Sequence, residues 1–125
     1  MRIAINGAGI AGPTLAYWLQ KAGHEVLLIE KSPELRSGGY VIDFWGIGYD
    51  IAEKMGLLPR IREVGFQVKE MRYVDRQGNR NGGFPAAIFQ RMTGGRFTEI
   101  ARSDLAAIIY EASEGKIQTI FGDSV

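Results

Sequence analysis

Three glycines, Gly7, Gly9 and Gly12, break an otherwise apolar amino end and constrain what the chain can fold into. Before them, Arg2 to Asn6 (RIAIN) is a short apolar run suited to a buried strand. After them, Leu15, Ala16 and Leu19 recur at helical spacing between Ile10 and Ala22. Pro13 falls in the first turn, where no intrahelical N–H is lost. Gly23 stands where a helix-ending glycine belongs, and Glu25 to Glu30 (EVLLIE) reads as a second apolar strand. Strand, helix and strand make a βαβ unit, whose two strands are expected to run parallel with both faces buried.

In that context Gly7-x-Gly9-x-x-Gly12 has a mechanical meaning. Gly7 lets the chain turn sharply, Gly9 carries no side chain to block a diphosphate, and Gly12 lets the helix approach the sheet closely. Diphosphate oxygens then meet unpaired N–H groups at the positive end of the helix. Glu30 closes the second strand, where a carboxylate accepts the hydroxyls of an adenosine ribose. Gly12, Ala16, Leu19, Gly23, Val26 and Glu30 extend the pattern in register. The pattern indicates dinucleotide binding. The carboxylate disfavours NADP, whose 2′-phosphate would meet like charge, and leaves both NAD and FAD open.

Composition removes several other classes. The 125 residues allow one domain, and the absence of cysteine excludes disulfides, cysteine-ligated metals and a thiol nucleophile. One histidine, His24, is too few for a histidine metal site or a Ser-His-Asp triad, so no metal is expected. Fifteen Lys plus Arg against 14 Asp plus Glu give a formal charge of +1, which argues for neither a nucleic-acid nor a membrane partner. The uncharged stretch from Ile3 to Gln20 is interrupted by Asn6, its glycines and Pro13, unlike a signal peptide or a membrane span, so a cytoplasmic location is expected.

Further along, Lys31 to Gly39 is a polar loop. Tyr40 to Phe44 is a candidate strand, and Ile47 to Met55 and Pro59 to Val64 are candidate helices. Lys69 to Asp75 alternates, with Met71 and Tyr73 expected inward, before a turn at Arg76-Gln77-Gly78-Asn79. Ala86 to Gln90 and Phe97 to Ile100 are further strand candidates. Ser103 is a candidate N-cap for a helix reaching about Ala112, and Ile117 to Phe121 is a last strand. The seven basic residues between Lys69 and Arg102, against three acidic ones, read as solvated hairpin arginines rather than a nucleic-acid face. Tyr17, Trp18 and His24 read as packing or surface residues, and Gly122-Asp123 as a turn. The expected fold is α/β and Rossmann-type, an FAD/NAD(P)-binding fold with a mainly parallel sheet and an antiparallel excursion over about 66–96.

The stretch GAGIAGPTLAYWLQKAGHEVLLIEKSPELRSGGYVIDF resembles the opening of FAD-dependent monooxygenases of the para-hydroxybenzoate hydroxylase type. That family includes aromatic and polyketide hydroxylases and tetracycline-inactivating enzymes. Glu99 to Leu105 (EIARSDL) is similar to its strand-to-helix segment, and Gly38 to Leu58 also looks like the family's. The resemblance implies FAD as cofactor, NAD(P)H as electron donor and an aromatic or polyketide-like small molecule as substrate. It implies that the backbone of Gly7, Gly9, Ile10, Ala11 and Gly12 holds the diphosphate and Glu30 the ribose. Lys31 would lie along the adenosine, Arg36 and Asp43 would approach the cofactor, Arg102 would face the diphosphate and ribityl chain, and Val125 would pack near adenine.

Family members are much longer, so residues 1–125 are expected to form the N-terminal part of an FAD-binding domain. Its partner would be the missing C-terminal part of the enzyme. No catalytic side chain is expected here, because the flavin carries the chemistry. The rival readings are an FAD- or NAD-dependent dehydrogenase or reductase, and a non-catalytic dinucleotide-binding fragment that needs a second chain.

Overall fold

The computed structural model describes residues 1–113 and 115–125, which form two compact units: residues 1–40 with 101–125, and residues 41–100. The first unit holds β1 (Arg2–Asn6), α1 (Ala11–Lys21) and β2 (Glu25–Glu30). Residues 101–125 add α5 (Arg102–Glu111) and β7 (Gln118–Phe121). Its sheet runs β1-β2-β7, all parallel, with Ile5 opposite Leu28 and Ile29 opposite Ile120. The Rossmann-type parallel start is therefore present as expected. Ala16 of α1 packs on Val26 and Leu28, joined by Ile5, Leu19, Tyr110 and Ile117. Val26 and Leu28 bury on this face because their side chains alternate with those of Leu27 and Ile29.

Both ends of α1 follow from its sequence. No side chain caps its amino end, so the first N–H groups are left for another acceptor. At the other end Gly23 takes a φ of 85° and donates to Gln20 O, while His24 N–H donates to Leu19 O, both at 3.0 Å. This paired closure needs a residue at ease in the left-handed region, which is why glycine stops the helix there.

The expectation that both strands are buried on both faces fails for β1. Arg2, Ala4 and Asn6 are exposed, because they share the sheet face opposite α1, where Glu25 is exposed and Leu27 and Ile29 of β2 are only half-buried. α5 also begins two residues earlier than a Ser103 cap would start it. Ala101 is its N-cap, no side chain caps it, and the Arg102 N–H instead donates to Tyr40 O at 3.1 Å.

The second unit contains β3 (Val41–Trp45), α2 (Gly46–Lys54) and α3 (Leu58–Val64). Next come β4 (Glu70–Val74), β5 (Arg80–Pro85), α4 (Ala87–Met92) and β6 (Phe97–Ala101), whose last residue belongs to the first unit. β3 pairs with β6, and β4 with β5 as an antiparallel hairpin, so the antiparallel excursion is also present. Tyr49 is fully buried. Its hydroxyl accepts from Arg62, and the Arg96 guanidinium, 5.0 Å from its ring centre, pairs with Asp50 and Glu53. Asp75 shapes the hairpin turn by accepting the N–H groups of Gln77 and Asn79.

Two local expectations are corrected here. Ala86 to Gln90 is not a strand: Ala87–Met92 is helical and places Phe89 between Phe84 and Phe97, at 5.7 and 5.6 Å between ring centres. Gly94 and Gly95, both at positive φ, follow its end. Met71 and Tyr73 are 48% and 60% exposed rather than inward, since no second layer covers the hairpin among the described residues.

Gly83 has a φ of 141°, and a Cβ there would lie 2.2 Å from Met71 O. Gly83→Ala is therefore expected to unpair β4 from β5. The check is amide exchange, in which Met71 and Phe84 should lose protection while the Tyr49 region keeps it. No helix among the described residues is long and apolar enough to cross a membrane.

Candidate dinucleotide-binding site

The carboxyl ends of β1 and β2 and the amino end of α5 enclose a cleft of about 510 Å³ within the first unit. Its lining includes Gly7, Ala8 and Gly9 of the glycine loop, Glu30, the Leu35 to Gly38 segment, and Arg102 to Asp104. Gly7 turns with a φ of 110°, and its N–H donates to Ile29 O at 2.6 Å. A Cβ on Gly12 would lie 1.9 Å from Gly7 O, so only glycine lets α1 start this close to the loop. A Cβ on Gly9 would meet only the Nη2 of Arg102, at 3.8 Å. The bare backbone of Gly9 thus lies beside a guanidinium that has no ion-pair partner among the described residues.

Glu30 is 6% exposed. Its Oε2 accepts the Ala8 N–H at 2.7 Å, and its Oε1 accepts the Ser32 N–H at 3.0 Å. The Arg36 guanidinium stands 3.7 Å from Oε1 and is itself held by the Ser32 hydroxyl at 3.1 Å. The bonds from Ala8 and then Ser32 hold the carboxyl below the usual glutamate range, burial opposes them, and Arg36 adds to the lowering. A carboxylate offers about four acceptor positions. With two backbone donors seated, Glu30 keeps acceptor capacity for a pair of vicinal hydroxyls.

The structure brings together Gly7, Gly9, Glu30, Arg36 and Arg102 around this cleft. Ile10 is the N-cap of α1 and Ala11 its first residue; with Gly12 they shape the loop without lining the cleft. Lys31 is exposed just past Glu30. Val125 is 90% exposed, with its carbonyl 3.4 Å from Asn6 Nδ2. Asp43 is an exposed residue of β3, in the second unit. Gly122 and Asp123 close a turn, donating to Ser32 O and Glu30 O.

Sequence reasoning did not anticipate Ala8 and Ser32 as the donors that fix Glu30. The available signal was a small residue between two glycines and a serine just past the strand end. It also assigned Ser103 and Asp104 only to a helix start, although both line the cleft.

Residues 5–50 match the NAD(P)-binding Rossmann-like domain. Over 131 aligned residues the chain is 34% identical to an uncharacterized protein of Mycobacterium tuberculosis, covering 98% of this chain and 33% of that protein. It is 34% identical to the FAD-dependent monooxygenase asL4 of Sarocladium schorii, covering 100% of this chain and 30% of the relative. The crystal structure of tetracycline destructase Tet(51) aligns with a TM-score of 0.77 at 35% identity, over 97% of this chain and 30% of that one. The chain is homologous to flavin-dependent monooxygenases. It spans about a third of the length of these monooxygenase relatives. The glycine loop and Glu30 fall inside the residues matched to the Rossmann-like domain, and Arg102 lies beyond them.

Proposed function

We propose that this chain is the FAD-binding portion of a flavoprotein monooxygenase acting on an aromatic or polyketide-like small molecule. The observation that carries the reading is one cleft lined by the buried carboxylate of Glu30 and by Arg102, a guanidinium without an ion-pair partner among the described residues, beside the bare Gly9. When bound, FAD would supply the redox chemistry, with NAD(P)H as electron donor and O2 as the source of the inserted oxygen. This chain's residues bind and orient. The Gly7–Gly12 backbone and the uncapped amino end of α1 present N–H groups to the diphosphate. Arg102 supplies its counter-charge. Glu30, kept ionised by Ala8 and Ser32, accepts the ribose hydroxyls, and Arg36 stands at its edge. Lys31, Asp43 and Val125 enter the proposal on family resemblance alone.

The match to an NAD(P)-binding domain favours one second reading, a nicotinamide-dependent dehydrogenase or reductase. Calorimetric titration of the 125-residue chain with FAD, NAD⁺ and NADP⁺ separates the two. FAD is expected to bind, weakly, and NADP⁺ least of all, because Glu30 opposes a 2′-phosphate. Arg102→Ala is expected to weaken FAD about tenfold to a hundredfold, with a flatter salt dependence, at unchanged melting temperature. Preference for NAD⁺ over FAD overturns the monooxygenase reading. The chain alone is expected to oxidise no NAD(P)H.

A further inference from the structure

The chain has three asparagines, Asn6, Asn79 and Asn81, and two of them precede glycine. An asparagine followed by glycine carries its own nucleophile, the next backbone nitrogen, with no neighbouring side chain to shield it. The two Asn-Gly pairs sit in opposite surroundings. Asn6 ends β1 in register with Ile29, and the Gly7 N–H donates to Ile29 O at 2.6 Å. The Asn6 amide also lies 3.4 Å from Val125 O. Asn81 and Gly82 fall where the β4–β5 ladder loses step. Arg72 pairs with Gly83 and Val74 with Arg80, which leaves two residues of β5 opposite Tyr73 alone. Asn81 is exposed, and its amide makes no hydrogen bond among the described residues. A Cβ on Gly82 would meet nothing closer than Tyr73 Cδ2, at 3.5 Å, so the backbone there is open to approach. Asn79 differs from both: Arg80 follows it, and its amide donates to Asp75 Oδ2 at 3.2 Å.

We propose that Asn81 is a site of spontaneous modification, deamidation through a cyclic imide, and that the fold spares the identical Asn6-Gly7 pair. The Gly82 nitrogen gives up its proton and bonds to Cγ of Asn81. The bond from Cγ to the amide nitrogen then breaks, and that nitrogen leaves as ammonia with the proton. Water opens the imide at either carbonyl, giving aspartate, or isoaspartate with one methylene added to the main chain. Water is the only other reactant. Neither Asn81 nor Gly82 belongs to a ladder pair, so the added methylene breaks none. Gly7 has its N–H committed to Ile29 O, and its nitrogen is released only when β1 opens. The product gains one carboxylate beside Arg80, which takes the formal charge of the chain from +1 to 0. This inference goes beyond the cofactor reading and its test contains no cofactor, so either can fail without the other.

The experiment ages the folded 125-residue chain in mildly alkaline buffer, where the attacking nitrogen loses its proton more readily. Conversion is read by peptide mass mapping and by enzymatic methylation of isoaspartyl groups. Asn81 is expected to convert about tenfold faster than Asn6 or more, because Asn6 reacts only in the fraction of molecules whose β1 is open. Asn79 should keep its amide. Ageing in urea removes the fold, and the two Asn-Gly pairs should then convert at comparable rates. Asn81→Gln should melt like the parent chain, since the replaced amide is exposed and unbonded, and should lose the first acidic form seen on ion exchange. Equal rates for Asn6 and Asn81 in the folded chain, or a difference that persists in urea, overturn the proposal. So does an Asn81 that converts no faster than Asn79.

Discussion

Gly12→Ala is expected to abolish FAD binding and to lower stability by about 3 kcal/mol, the upper part of the range for overpacking. The added methyl would sit 1.9 Å from Gly7 O, which is backbone, so no side-chain rotation relieves it. Either α1 withdraws from the sheet or the loop reshapes, and both displace the N–H groups that face the cleft. In thermal melts this corresponds to a drop of roughly 10 °C. Two other glycines serve as internal controls. Gly23→Ala meets open space but must hold a positive φ, and is expected to cost about 1 kcal/mol without touching the cleft. Gly9→Ala meets only the tip of Arg102, so it should fold normally and lose affinity alone. If Gly12→Ala melts like the parent chain and binds FAD, the close approach of α1 is not what shapes the site.

The second large effect belongs to Glu30→Gln. The amide has one acceptor oxygen where the carboxylate has two, so the N–H of Ala8 or of Ser32 must face an NH2 group inside the protein. Leaving a buried donor unpaired costs about 1–3 kcal/mol, and the lost ribose acceptor should lower FAD affinity tenfold or more. The pH dependence identifies the cause. The carboxyl of Glu30 lies below its usual range in the folded protein, so its contribution is fully present above the unfolded glutamate value near 4.5. It is lost as the pH falls through the lowered folded value. Acid melts of the parent chain should therefore steepen below about pH 4.5, and Glu30→Gln should remove that part of the slope. An unchanged acid profile would mean that Glu30 is not held by these bonds.

Much of the first unit was legible because its signals are local. The apolar runs of β1 and β2, the glycine spacing between β1 and α1, and Gly23 as the helix stop each depend on a few neighbouring residues. Glu30 was legible as the carboxylate that ends β2 for the same reason. What orients its carboxylate was not: the Ala8 donor comes from across the loop, and no pattern at Glu30 announces it. The misread segment Ala86 to Gln90 shows the same limit in the second unit. Phe89 is compatible with a strand by propensity, and only its packing between Phe84 and Phe97 selects the helix. Ser103 is a good capping residue by type, yet β6 runs directly into α5 and leaves no loop in which to cap.

The hydrogen bond between Arg102 N and Tyr40 O has a wider meaning for how such a chain is put together. It joins the two points where the chain leaves the first unit and returns to it, so the path through residues 41–100 starts and ends at one doorway. Closing a longer or shorter excursion through that doorway changes the free energy little, about 0.6 kcal/mol for each doubling of length. The excursion can therefore be lengthened, trimmed or exchanged as a cassette while the phosphate-side half stays the same. During synthesis, however, β1, α1 and β2 must wait for the entire cassette to emerge before Arg102 and β7 arrive, so the cleft is among the last parts of this chain to close.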